Sequence, residues 1–462
     1  MEGVFFRLRN NIFFLSLLVI LLSTVVIFSL PGGVRKGEVK KEKFEVRGEN
    51  FGYLATAYGS QRHVFANTKK EINKKTSFLI TEEEKVGGVQ DVFEGSLMAV
   101  WVRDNQIMVS YSNDYGQNWQ DLSSPLINER VEVVSGAQDE KGNLHLVYES
   151  EGNIFYRKVS EMRENGLVKP GGWVISSPVP LDLSGLAHRP SLVLDYSSDL
   201  PLVSWSFESK KAGVRLSKIN FLRAKGDPVF LENWCNAKGD SCGKPVGVSS
   251  LGSADSLGEI ISSGLLHPVL RQMPQSQDLY LWWSEEREKR GGLLKMAVAK
   301  NEIDHWVWGE ISVEDNLDSE TSKNFSLSAA ANFSKGEIAV VYVQEGMATK
   351  VVVYKKEGIK EDISPGKNLG GQFSLSAYDG KYFLFYRRPD GKISGRLFDQ
   401  SWSEELLESP GEGGHPSAPD DPADGKIVIA YTEPSGTISF LNYSLIAQPE
   451  LTPTAFPTEI QD

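Results

Sequence analysis

Basic side chains open several short apolar runs in this chain. They are His188-Arg189-Pro190, His267-Pro268 with Arg271 in the same run, and His415-Pro416. Acidic and further basic side chains end such runs: Glu149, Glu208, Glu285, Arg387 and Arg388. Three chemistries are open to this set. Neutral imidazoles can ligate zinc, but a His-Pro pair at a strand start orders backbone, so neither a metal nor a cofactor is expected. Two carboxylates facing one cleft could hydrolyse a glycosidic bond, and Glu149 with Glu208 or Glu285 is the candidate pair. Guanidinium forks match carboxylates bidentately, so Arg189, Arg271 and Arg387 or Arg388 would bind an acidic group only if the fold gathers them. Without that gathering, the same residues form a non-catalytic ligand-binding face. No catalytic residue is assigned.

The elements that must position these residues are β-hairpins. Strands of alternating apolar residues meet across short polar turns, as in Leu97–Val102 with Ile107–Tyr111 and Leu144–Tyr148 with Ile154–Val159. The same pattern recurs from Pro201, Leu279, Ile338, Tyr382 and Ile427, giving seven hairpins. Upstream of several lies a run with small residues, such as His188–Leu194, His267–Arg271, Phe325–Ala329, Phe373–Ala377 and His415–Ala418. Regular repetition of hairpins reads as an all-β propeller of four-stranded antiparallel blades. Seven blades are expected, with eight or six as alternatives. Leu54–Thr68 and Ser77–Thr81 either complete the last blade or form an eighth.

One turn carries a motif. Ser112-Asn113-Asp114-Tyr115-Gly116-Gln117-Asn118-Trp119 follows the strand that ends at Tyr111. Asp114 can accept backbone N–H bonds, and Gly116 can take positive φ. Ser112, Asp114, Gly116 and Trp119 resemble the Asp-box, or BNR repeat, of sialidase-like β-propellers. The resemblance implies a structural box joining the third and fourth strands of a blade, on the face opposite the ligand site. It also implies what a sialidase would need: three arginines and a Phe-Arg-Ile-Pro motif before the first box. That motif is not found, so the expected function is a glycan- or protein-binding module. An exo-sialidase or other glycoside hydrolase is the alternative.

The 462 residues carry 61 acidic and 49 basic side chains, a net charge of −12. Phosphate contacts demand a basic face, so no nucleic-acid partner is expected. Residues 12–30 are apolar enough to span a bilayer as a helix of about 28 Å. They read as a transmembrane signal anchor after a short cytoplasmic segment at 1–11. Cleavage and secretion is the alternative. A linker at 31–50, the propeller at 51–447 and a Pro/Thr-rich, disordered tail at 448–462 follow. The expected product is a single-pass membrane protein, monomeric, with its propeller on the extracytoplasmic side. Cys235 and Cys242 then read as a disulfide closing a small loop, against two free thiols.

Overall fold

In a computed structural model, residues 64–66 and 97–444 are described, apart from short stretches within the second range. The chain divides into two compact units, Met1–Glu49 and Asn50–Asp462. All described residues belong to the second. The expected anchor at 12–30, its flanks at 1–11 and 31–50, the strand at Ser77–Thr81 and the tail at 448–462 lie outside them.

The described residues are all-β apart from two single-turn 3-10 helices, Leu231–Asn233 and Lys356–Gly358. Their strands group into seven antiparallel meanders. The first runs Val64–Ala66, Leu97–Arg103, Gln106–Ser112 and Gln120–Asp121, each strand pairing with the next. The innermost strands of the other six are Val133–Gln138, Ala187–Leu194, Val269–Gln272, Ser328–Asn332, Gly371–Tyr378 and Gly414–Ser417. Each pairs with the first strand of a hairpin that the sequence pattern marks. Leu317 of the fourth meander also pairs with Gln344 of the fifth, joining those two sheets.

The alternation of apolar residues buries both faces of each meander, and the core lies between meanders. Val147 and Ile154 of the second pack with Trp205 and Phe207 of the third. Leu202 and Phe221 of the third pack with Leu281 and Trp283 of the fourth. The series continues until Val64, Ala99 and Trp101 of the first meet Val428 and Ala430 of the seventh. The last contact closes the described meanders on themselves, so no face is left without a partner. Antiparallel meanders packed face to face around a ring are a β-propeller. Val64–Ala66, which the sequence offers as part of a last or extra blade, is instead the innermost strand of the first meander. Its partner Leu97–Ala99 has one free edge, and this short strand fills it.

Small residues on the innermost strands have a definite role. The buried hydroxyl of Ser135 accepts the backbone N–H of Leu192 on the next innermost strand at 3.2 Å. Ser191 accepts from Leu270 (3.4 Å), Ser328 from Leu375 (3.2 Å) and Ser374 from Ala418 (3.0 Å). Each bond staples one meander to the next where the strands are most crowded. Between the fourth and fifth, Val269 stands in the serine's place. There Arg271 of the same strand donates from Nε to the Ala329 carbonyl at 2.9 Å.

Candidate functional site

The entrance ends of the innermost strands bear a repeated distortion. Register breaks between His188 and Ser191, between Gly371 and Ser374, and between Gly414 and Ser417. Within each break one non-glycine residue is left-handed: Arg189 (φ 55°), Gln372 (φ 55°) and His415 (φ 51°). All three sit two residues before the innermost-strand serine. Such a bulge re-aims a side chain, and the conformation costs on the order of 1 kcal/mol per residue.

Side-chain acceptors hold these bulges. Glu149, 3% exposed, is the last residue but one of the second strand of the second meander, Leu144–Ser150. Its Oε2 accepts the backbone N–H of Arg189 at 2.9 Å, and its Oε1 lies 2.6 Å from His188 Nδ1. The Arg189 guanidinium bonds His267 Nε2 on the fourth meander. Across the sixth and seventh meanders, Gln372 Oε1 accepts the backbone N–H of His415 at 3.0 Å. In both places a bulged residue reaches sideways onto the equivalent position of the following meander.

Electrostatics follow from this packing. Burial disfavours a charged His188, but the bond to Glu149 and the Glu149 and Glu208 carboxylates outweigh it and raise its pKa. Buried His267 is held well below the ordinary imidazole value, first by desolvation and then by the Arg189 charge, and is therefore neutral at pH 7. Glu132 is exposed at the surface, but partial desolvation of its carboxyl, and then its proximity to Glu149, raise its pKa.

The structure thus brings Glu149, His188, Arg189 and His267 together, with Glu208 close enough to act on His188. His415 belongs to a second group with Gln372. Glu149 and Glu208 are buried rather than solvated rim carboxylates, and His188 and Arg189 of the following meander cover Glu149. Glu285 pairs with Lys295. Arg271 departs from its expected place at the entrance. It lies four residues further along its strand than His267, about 13 Å at the usual rise, and is 1% exposed. There it donates to the Ala329 and Leu270 carbonyls and faces Asp420 at 3.3 Å. Arg387 Nε donates to the Gly413 carbonyl at 3.0 Å. Arg388 pairs with Asp390 (2.7 Å) and Glu405 (3.0 Å). The arginines therefore have separate partners. No group of three or more His, Cys, Asp or Glu among the described residues could hold a metal ion.

Sequence reasoning missed Glu132 and Gln372. Gln372 was legible by superposing Gln372-Phe373-Ser374 on Arg189-Pro190-Ser191 and His415-Pro416-Ser417. Glu132 carries no comparable signal.

Away from this entrance, Cys235 and Cys242 form a disulfide. The loop they close docks on the fourth meander, where the Ala237 carbonyl accepts the Trp306 N–H at 3.1 Å.

The residues 112–119 connect the third and fourth strands of the first meander. Ser112 Oγ donates to Asp114 Oδ1 and accepts the Gly116 N–H, both at 2.8 Å. Asp114 Oδ1 also accepts the Asn118 N–H at 2.8 Å. Gly116 has φ 79°, and Trp119 Nε1 donates back to its carbonyl at 3.1 Å.

No protein-family model and no curated protein matches the chain. Similar solved structures include polysaccharide lyase Uly1, at 9% identity and TM-score 0.44, over 83% of this chain and 97% of that one. SapL1 lectin in complex with alpha methyl fucoside is 10% identical, TM-score 0.43, over 79% and 100%. The β-propeller domain of the Trilobed protease from Pyrococcus furiosus is 9% identical, TM-score 0.38, over 78% and 95%. These are distant likenesses of fold, and none bears on activity.

Proposed function

We propose that the chain is a membrane-anchored, extracytoplasmic, sialidase-like β-propeller of seven blades, one per meander, that binds a glycan at the entrance of its innermost strands. The observation that carries this reading is the interlocked set Glu149, His188, Arg189 and His267, tied by side-chain bonds across three meanders. Its groups are fixed before any ligand arrives, and a preorganised polar surface suits sugar hydroxyls, which both donate and accept.

Binding is favoured over hydrolysis by the way the carboxylates are engaged: Glu149 is buried with its two oxygens on His188 Nδ1 and the Arg189 N–H, and Glu285 is paired with Lys295. The separate partners of Arg189, Arg271, Arg387 and Arg388 likewise argue against a three-arginine sialidase site.

The test is a glycan array probed with the full-length chain in detergent, beside Arg189→Ala. Binding by the wild type and its loss in the variant support the proposal. Release of reducing sugar from the bound glycan would replace it with the hydrolase reading. Protease digestion of intact cells tests the orientation: the chain beyond residue 50 should be cut without lysis.

A further inference from the structure

One bond at the entrance joins a permanent cation to a group that can become one. Arg189 of the third meander is half-buried, and its guanidinium bonds Nε2 of His267, which is 5% exposed on the fourth. A guanidinium carries five donors and no acceptor. Nε2 must therefore accept with its lone pair, which puts the ring proton on Nδ1 and leaves the imidazole neutral. The titration agrees with the geometry: desolvation, and then the Arg189 charge, hold His267 well below its ordinary value. A second proton has only Nε2 to bond. It would turn the acceptor into a donor and set an imidazolium against a guanidinium in a buried place.

The surroundings decide what can give way. Pro268 disfavours helical backbone at His267. Glu149 Oε2 holds the Arg189 N–H at 2.9 Å, and Ser191, two residues on, accepts the Leu270 N–H of the fourth meander at 3.4 Å. Both backbones are tied, so the long Arg189 side chain is the part that moves. Besides Arg189, the third meander brings His188 and Glu208 to this place, and the second brings Glu149, with Glu132 and Arg130 beyond it. On the fourth meander Glu285 is paired with Lys295. A released guanidinium is drawn to the Glu149 and Glu208 carboxylates or to water.

We infer that Arg189 and His267 form an acid-sensitive latch between the third and fourth meanders. A proton from solvent bonds Nε2, the imidazolium repels the guanidinium, and the Arg189 side chain leaves the junction for the entrance. On deprotonation Nε2 accepts again and the latch closes. No ligand takes part, so the latch stands whether or not a glycan binds here. The folded chain takes up this proton less readily than the unfolded one. Stability is therefore untouched by His267 above about pH 6.5 and falls as pH drops from there toward the folded value.

The experiment compares the full-length chain in detergent as wild type and as His267→Gln, whose amide oxygen accepts a bond from Arg189 but does not titrate. Urea denaturation from about pH 7.5 to about pH 4 reads the folding constant of each. Above about pH 6.5 the two curves should run parallel. Below it the wild type should lose ground to the variant, by up to about tenfold per pH unit for one proton. Curves that stay parallel throughout overturn the latch. Spectra of chains labelled with 15N at histidine read the proton itself. At pH 7 the signal that is lost in His267→Gln should show a proton on Nδ1 and a bare Nε2, and a proton on Nε2 overturns the latch. If His267→Gln does not fold, Arg189→Gln decides. The histidine that stays neutral longest on acidification of the wild type should then titrate at higher pH, because the guanidinium charge is gone. An unchanged titration overturns the latch.

Discussion

Trp119 lies flat on Phe440, with ring centroids 3.9 Å apart and planes within 7°. The two belong to the first and last meanders. Beside them Asn442 Nδ2 donates to the Gly116 carbonyl at 2.7 Å, across 326 residues of sequence. The turn at residues 112–119 is therefore a clasp on the seam where the ring closes. Its tryptophan covers the neighbouring meander rather than its own sheet.

Breaking the clasp should lower stability without touching the entrance. Asp114→Ala removes the acceptor of the Asn118 N–H and should cost about 1–2 kcal/mol. Gly116→Ala should cost about 2 kcal/mol or more, because a Cβ there meets Val428 Cγ2 at 2.7 Å with φ at 79°. Urea denaturation reads both. Glycan affinity should stay at the wild-type value, and a change there would place this turn in the site.

The serine staples should be additive. Ser191→Ala and Ser374→Ala each leave a buried backbone N–H without its acceptor, for about 1 kcal/mol apiece. They lie at separate junctions, so the double variant should lose about 2 kcal/mol. A double variant no worse than either single one would show that the staples are not independent.

Arg271 should behave as a structural residue. Arg271→Met removes the donor to the Ala329 and Leu270 carbonyls and strips Asp420 of its cation. The expected loss is about 3 kcal/mol. Arg271→Lys should recover only part of it, since an ammonium lacks the planar fork. Chemical denaturation measures the loss, and a neutral effect would mean that the guanidinium is held without contributing.

His188 should make stability depend on pH. Its pKa in the folded chain is raised above the ordinary 6.5. Its stabilising contribution is therefore complete below about pH 6.5 and disappears as pH rises through the folded value. His188→Ala should cost about 1.5 kcal/mol at pH 6, the usual worth of a bond to a charged group. The cost should shrink by pH 9. An equal cost at both values would rule out a charged His188.

Opening the disulfide should weaken one junction. Cys235→Ser with Cys242→Ser should cost about 2 kcal/mol, as expected for so short a loop. Hydrogen exchange at Trp306, whose N–H is held by the Ala237 carbonyl, should speed up in the same variant.

The hairpins were legible in the sequence because each is local. Alternation along Leu144–Tyr148 or Tyr382–Tyr386 fixes which side chains face a neighbour, and the polar turns fix the pairing. The tight turn at residues 112–119 was legible for the same reason, since its bonds span at most four residues. Assembly of the site was not. Glu149 meets His188 and Arg189 across 39 and 40 residues, and Arg189 meets His267 across 78. Type and spacing alone could not tell Arg189, turned into the entrance by a bulge, from Arg271, drawn into the interior a few residues along an equivalent strand. That difference depends on which neighbouring strand supplies a carboxylate and which supplies carbonyls. Only the packing of one meander on the next decides it, because only then do strands distant in sequence become neighbours.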